Sequence, residues 1–182
     1  MNFLLIIFSS LAIGLCSQSA ETADSSCNSF VQKYNDINPD ELFTEKHPMD
    51  DFEAMESVES GQFSTVFKAV RGGDTPPVAL KQVYFDDQKW KMLLREVKIL
   101  HVLDHPNIVR FYKAYRLDKV VWLAMEWIQG GSLEQFSVQN SKRVGDIEHE
   151  LLRNVLKDVL KALMYLQTAN IVHRDLKPDN IM

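Results

Sequence analysis

Hydrophobic and polar positions divide the chain into an apolar start, a polar stretch and a long patterned region. Residues 3–16 (FLLIIFSSLAIGLC) are almost entirely apolar, and small residues follow as far as Ala20. This run is shorter than the roughly 20 residues that a membrane-spanning helix needs, and it is typical of a secretory leader. We therefore predict a signal peptide over residues 1–20, with a buried helix or a misjoined first exon as the alternatives.

Residues 21–51 are polar and acidic and show no sustained period. Pro39 and Pro48 interrupt them. A stretch without periodicity that contains prolines is typical of a connecting segment. We predict a linker over residues 21–51, with a short helix at about residues 30–34.

From Phe52 onwards, short runs rich in β-branched and aromatic residues predict strands. The predicted strands are Phe52–Val58, Thr65–Val70, Val78–Phe85, Ile108–Arg116 and Val120–Glu126. Apolar residues at three- and four-residue steps predict two helices. The first starts at Asp86 or Asp87 and ends at His105, because the residue before a proline avoids the helical region. The second runs from about Ile147 to Gln167, with Asp146 as its candidate N-cap.

This order of elements predicts an α+β fold. Hairpin connections favour an antiparallel sheet of five strands with one helix, and a helical segment follows it. The composition fits one soluble globular domain: 182 residues, of which 46% are hydrophobic and 25% charged. The net charge of −5 does not suggest a nucleic-acid-binding surface. The only cysteines, Cys16 and Cys27, form no CxxC pair, so neither a disulfide framework nor a cysteine metal site is expected.

Two of the candidate functional motifs lie among the first three predicted strands. In VESGQFSTV, residues 58–66, Gly61 would let the backbone approach a phosphate, although an ordinary hairpin turn is an equal alternative. In VALK, residues 78–81, Lys81 would hold a point charge against phosphate oxygens if Glu96 on the next helix oriented it. The alternative for Lys81 is a solvated residue on an edge strand.

The third motif, IVHRDLKPDNIM, occupies residues 171–182. Phosphoryl transfer uses a carboxylate that accepts the proton of the attacking hydroxyl, a cation near the γ-phosphate and an oxygen ligand for Mg²⁺. Asp175, Lys177 and Asn180 supply these three groups in order. His173 and Arg174 are expected to shape the loop.

In this order, the motifs resemble those of the eukaryotic protein kinases. HRDLKPDN is similar to the catalytic loop of that family and VALK to its strand lysine motif, and HPNIV, MEW and GGSL stand in the family's order. Lys177-Pro178 is similar to the serine/threonine branch, and the stretches around HPNIV and GGSL are similar to kinases upstream in MAP-kinase cascades. The resemblance implies a partial kinase domain over residues 52–182, made of an N-lobe and only the beginning of the helical C-lobe.

The resemblance also implies an ATP- and Mg²⁺-dependent serine/threonine kinase that phosphorylates a protein substrate. Asp175 would be the base, Lys177 would stabilise the transferred phosphoryl group, and Asn180 would bind Mg²⁺. Lys81 would bind the α- and β-phosphates. The full set of residues implied to surround ATP is Val58, Gly61, Val66, Ala79, Lys81, Glu96, Met125 as gatekeeper, Glu126 and Ile128.

The chain departs from the family pattern at two places. Glu59 and Ser64 occupy the outer positions of the glycine loop, and the Asp-Phe-Gly motif expected after Asn180 does not occur before Met182. Three hypotheses stay open: a part of a longer active kinase, a nucleotide-binding protein without transferase activity, and an interaction module whose partner covers helix 147–167. The resemblance implies a cytoplasmic protein, whereas the leader implies secretion.

Overall fold

The structure, a computed structural model, describes residues 12–13, 25–60, 64–73, 75–139 and 149–182. Gly61 and the predicted N-cap Asp146 lie outside these residues. In chain order the elements are β1 (Ala12–Ile13), α1 (Ser25–Asp36), β2 (Phe43–Thr44), a 3-10 turn (Pro48–Asp50), β3 (Ala54–Ser60), β4 (Ser64–Val70), β5 (Val78–Tyr84), α2 (Asp87–Val102), β6 (Phe111–Leu117), β7 (Val120–Glu126), α3 (Leu133–Gln139), α4 (His149–Thr168), β8 (Ile171–Val172) and a 3-10 turn (Pro178–Asn180).

The chain divides into two compact units. The sheet unit comprises Tyr34–Leu103 and Arg110–Ile128. The loop unit comprises Asp104–Val109 and Gln129–Met182, together with the residues before Tyr34.

The sheet unit is built on a six-stranded sheet with the order β2-β6-β7-β5-β4-β3. The five predicted strands are present as β3 to β7, and every neighbouring pair among them is antiparallel. The predicted α+β fold is therefore confirmed. The first predicted strand after α2 begins later than expected, at Phe111 instead of Ile108, because residues 105–108 form a turn in which the Ile108 N–H donates to the His105 carbonyl at 3.0 Å.

The sixth strand, β2, lies in the segment that we predicted as a linker, and it pairs in parallel with β6. The described part of this segment also contains α1, which includes the short helix predicted at residues 30–34, and the 3-10 turn Pro48–Asp50. Its residues from Tyr34 onwards belong to the sheet unit. This stretch, residues 34–51, is called the N-terminal flank below.

Helix α2 begins where the sequence predicted. Asp86 is its N-cap, and its carboxylate accepts a hydrogen bond from the Lys89 N–H at 2.8 Å, which satisfies one of the free N–H groups of the first turn. The helix buries Leu93, Val97 and Leu100 on one face. It ends at Val102, a few residues before His105-Pro106.

The loop unit contains α3, α4 and the third motif. Helix α4 buries Val155, Val159, Ala162 and Leu166 and is described from His149, so the predicted start at Ile147 lies outside the described residues. Of the predicted leader, only Ala12 and Ile13 are described, and they pair with Val172 and Ile171 in an antiparallel ladder. None of the helices in the described parts of the chain is long and apolar enough to cross a membrane.

Candidate active site

Four of the candidate residues share one face of the sheet. Val66 lies opposite Lys81, and Ala79 lies opposite Met125. Paired residues point to the same side of a sheet, and residues two apart on one strand do so as well. The side chains of Val66, Ala79, Lys81 and Met125 therefore project together from the face opposite to the hydrophobic core around Leu80.

The other face of the sheet is buried, and this burial fixes the direction of the candidate side chains. That face packs a core cluster of Phe52, Ala69, Leu80, Tyr115, Trp122 and Ala124. Leu80 is fully buried and stands between Ala79 and Lys81 in β5, so its burial fixes the direction of both neighbours. The candidate face is thus set by the alternation of VALK itself.

Lys81 is not a residue of an edge strand. Its strand, β5, pairs with β4 on one side and β7 on the other, and the lysine is half-buried. Glu96, its predicted orienter, is half-buried on α2, and neither residue is without an interaction partner. The alternative of a solvated edge lysine is therefore wrong.

The predicted phosphate-covering turn lies between β3 and β4. Val58 is 53% exposed and sits at a register shift of β3 between Ser57 and Glu59, after which Glu59 pairs with Val66. Gly61 lies outside the described residues. Its proposed contact with phosphate stays a prediction.

The segment after β7 supplies the remaining candidates of the sheet unit. Met125 is buried, and Glu126 and Ile128 are half-buried. The Glu126 N–H donates to the Arg110 carbonyl at 2.9 Å, so the sheet uses this donor. The backbone group of Glu126 that could face a ligand is therefore its carbonyl oxygen.

In the loop unit, the structure brings Asp175, Lys177 and Asn180 together. Asn180 Nδ2 donates to the Asp175 backbone oxygen at 2.7 Å and to Asp175 Oδ2 at 3.1 Å. Lys177 Nζ lies 3.2 Å from the same Oδ2. The Asp175 side chain is 31% exposed, so its carboxylate is held by two partners and still reaches solvent. The three groups that the sequence places in order are thus in contact in the structure.

His173 and Arg174 shape this loop, as their residue types suggested. His173 is buried, and both its carbonyl and its Nδ1 accept from the Asp175 N–H, at 2.9 Å and 3.3 Å. Arg174 has a φ of 63°, a left-handed conformation that turns the backbone between His173 and Asp175. These features aim Asp175 toward Lys177 and Asn180.

Sequence reasoning missed the helix that supports the loop. Helix α3 starts with a reciprocal capping box, in which Gln135 N–H donates to Ser132 Oγ at 3.2 Å and Ser132 N–H donates to Gln135 Oε1 at 3.0 Å. The Leu133 N–H donates to the Ile181 carbonyl at 2.8 Å, which ties α3 to the end of the loop. The Ser-x-x-Gln signal after Gly131 could have revealed this helix start.

The sheet and the loop agree with a comparison with known proteins: the family model for the protein kinase domain matches residues 52–182, so the chain belongs to this family. It is similar to the serine/threonine-protein kinase max-2 of Caenorhabditis elegans, with 35% identity over 78% of this chain and 22% of that protein. The probable serine/threonine-protein kinase mkcC of Dictyostelium discoideum is 33% identical over 72% of this chain and 14% of its own length. The MAP kinase kinase PBS2 of Saccharomyces cerevisiae is 31% identical over 74% of this chain and 20% of its own length.

The resemblance to serine/threonine protein kinases that the sequence suggested is confirmed. The chain spans less than a quarter of the length of these three relatives.

Proposed function

We propose that this chain carries the nucleotide-binding and catalytic-loop parts of a serine/threonine kinase that transfers a phosphoryl group from Mg-ATP to a protein hydroxyl. The observation that supports this most strongly is the cluster of Asp175, Lys177 and Asn180, whose polar atoms lie within 3.2 Å of the Asp175 carboxylate or backbone. A carboxylate base, a cation and an amide oxygen in one contact cluster serve phosphoryl transfer together.

The hydrogen bonds within the loop suggest the role of each atom. Asn180 uses Nδ2 to hold Asp175, which leaves its Oδ1 to face a metal ion, and Mg²⁺ prefers oxygen ligands. The Asp175 carboxylate would orient the attacking hydroxyl and accept its proton, with Lys177 and Asn180 holding it through Oδ2. Lys177 would stabilise the negative charge that develops on the transferred phosphoryl group.

The sheet unit would supply the nucleotide site. Lys81 would bind the α- and β-phosphates and Glu96 would hold it. Ala79 and Met125 would border adenine, and the Glu126 carbonyl and the Ile128 backbone would meet its edge. Val58, Gly61 and Val66 would cover the nucleotide. The support for this part is the shared sheet face of Val66, Ala79, Lys81 and Met125.

Thermal unfolding of the full chain with and without Mg-ATP tests the proposal. A ligand that binds only the folded state raises the melting temperature. We expect a rise for the wild type that is lost in Lys81→Ala and kept in Lys119→Ala, a control that removes a lysine of the sheet unit whose side chain is 68% exposed and which is not among the candidate residues. A folded wild type whose melting temperature does not respond to millimolar Mg-ATP would contradict the proposal.

A second candidate function, a protein-interaction module, rests on the surface of α4. Leu152, Leu156, Leu160 and Met164 recur every four residues and are each 50–65% exposed. Burying apolar area contributes about 25 cal/mol per Å², so covering a few hundred Å² here would contribute several kcal/mol, which offsets the entropy cost of association. The proposed occupant is an apolar protein surface.

Sedimentation velocity over a range of concentrations tests this alternative. Concentration-dependent assembly that Leu156→Glu abolishes, and that Lys157→Glu on the same helix leaves unchanged, would support it. A monomeric wild type that binds Mg-ATP would favour the kinase. Because the proposed reaction needs ATP, we also propose that the protein acts in the cytoplasm, with secretion after cleavage near Ala20 as the alternative.

A further inference from the structure

Phe43 of the N-terminal flank lies on the same cross-strand row as Lys81. It pairs with Ala114 of β6, Ala114 pairs with Leu123 of β7, and Leu123 pairs with Lys81 of β5. Residues in one row point to the same side of the sheet. Phe43 therefore projects from the face that carries Lys81, three strand spacings or about 14 Å away.

The side chain of Phe43 packs against helix α2. Its ring lies 5.3 Å from the ring of Trp90 in the first turn of the helix. Trp90 also contacts Phe85, at 4.9 Å between ring centroids, and the Arg116 guanidinium lies 4.4 Å from the Trp90 ring. Phe43 is only 9% exposed, so its side chain is buried where it contacts Trp90.

The flank holds α2 at a second point. Lys98 Nζ lies 4.6 Å from the ring centroid of Tyr34, which is buried. Glu96 stands between the two anchored residues, six positions after Trp90 and two before Lys98. At about 100° per residue, Glu96 points roughly 120° away from Trp90 and roughly 160° away from Lys98. The flank therefore contacts sides of α2 that differ from the side carrying Glu96.

We propose that Phe43 is a positioning residue for the nucleotide site: by seating Trp90, it fixes α2 against the sheet so that Glu96 can orient Lys81. The inference rests on the proposed function of Lys81 and Glu96. It goes beyond that function because the flank precedes residues 52–182, the part of the chain that the kinase family model matches. A segment outside the matched domain thus determines the placement of a helix inside it.

Hydrogen exchange of the full chain without nucleotide tests the structural half of this proposal. We expect Phe43→Ala to speed exchange of the α2 amides around Glu96 by about fivefold or more, the lower end of usual coupling between sites. Phe43→Leu, which keeps an apolar side chain in contact with Trp90, should restore most of the protection. If Phe43→Ala does not fold, Trp90→Leu, which removes the ring that Phe43 contacts, takes its place, and unchanged α2 exchange in that variant would overturn the inference.

His47→Ala is the matched control. His47 belongs to the same flank, but its ring lies 5.3 Å from Trp122 of the core on the other sheet face. Both variants lose an aromatic contact between the flank and the rest of the sheet unit, so both should lower the melting temperature. Only Phe43→Ala should affect α2. Equal acceleration of α2 exchange in both variants would show that Phe43 acts through general stability, which contradicts the proposal.

A double-mutant cycle on Mg-ATP affinity tests the functional half. Phe43→Ala should weaken binding about fivefold or more in the wild type and have little further effect in Glu96→Gln, because contributions that act through one group are not additive. Additive losses would overturn the proposal. If the wild type does not bind Mg-ATP, the proposed function fails, whereas the exchange experiment still decides whether Phe43 fixes α2.

Discussion

Replacing Asp51 by asparagine should destabilise the sheet unit in a pH-dependent way. The Asp51 carboxylate lies 2.6 Å from Lys46 Nζ and 3.5 Å from Lys113 Nζ, and it accepts a hydrogen bond of 2.6 Å from the hydroxyl of the fully buried Tyr115. The hydrogen bond from Lys46, followed by that from Tyr115, lowers the pKa of Asp51 from 3.8 to about 2. Burial, reinforced by this carboxylate, raises the pKa of Tyr115 above its ordinary value.

The size of the effect follows from this pKa. Lowering a carboxyl pKa from 3.8 to about 2 corresponds to about 2.4 kcal/mol of native-state preference for the charged form. The side chain is 25% exposed, so solvent screening reduces this contribution to about 1–2 kcal/mol. A carboxylate with a lowered pKa stabilises the fold above its unfolded-state pKa, and this stability is lost as the pH falls through the folded-state value.

Urea unfolding followed by circular dichroism measures the prediction. We expect Asp51→Asn to lower the free energy of unfolding by about 1–2 kcal/mol at neutral pH. The difference from the wild type should shrink below about pH 4 and continue to fall through about pH 2, where the wild-type carboxyl is about half protonated.

Asp50→Asn is the control, because it makes the same chemical change at an exposed neighbouring residue. Equal losses for Asp50→Asn and Asp51→Asn, or a loss for Asp51→Asn that stays constant down to pH 3, would refute the reasoning.

Three further predictions concern the loop unit. Ser132→Ala removes one half of the capping box of α3 and should cost about 1 kcal/mol in urea unfolding, whereas Ser132→Thr should cost clearly less; equal losses would exclude the cap. Asn180→Ala loses both donors to Asp175 and should speed amide exchange in residues 173–181; unchanged exchange would show that these bonds do not order the loop. In urea unfolding, Arg174→Gly should keep the free energy of unfolding within about 1 kcal/mol of the wild type, because glycine adopts a φ of 63° freely. Arg174→Val should lower that free energy by more, and equal values for the two variants would contradict this.

The central sheet and α2 could be predicted because their signals are local. VALK alternates between two faces within one strand, and the Asp86 cap needs only the three residues after it. The loop cluster could be predicted equally well, since Asp175, Lys177 and Asn180 lie within six residues of one another. Lys81 was harder, because its interior position depends on β4 and β7 pairing on either side.

The missed features depend on contacts between distant parts of the chain. Strand β2 has two residues, too few to show a period, and it forms because β6 offers a backbone edge about 70 residues later. The Asp51–Tyr115 hydrogen bond joins residues 64 positions apart. By contrast, α3 was missed despite a local signal, because Gly130 and Gly131, with φ of 119° and 79°, marked the break more strongly than Ser132 marked the new start.

Strand β2 also protects the border of the sheet. Without Phe43 and Thr44, β6 would present an open row of backbone donors and acceptors, next to the half-exposed side chains of Tyr112 and Leu117. Such borders recruit strands from other molecules, whereas a strand of two residues is too short to do so. A recombinant chain shortened to the family-matched residues 52–182 lacks this strand, so we expect it to aggregate edge to edge more readily than the full chain.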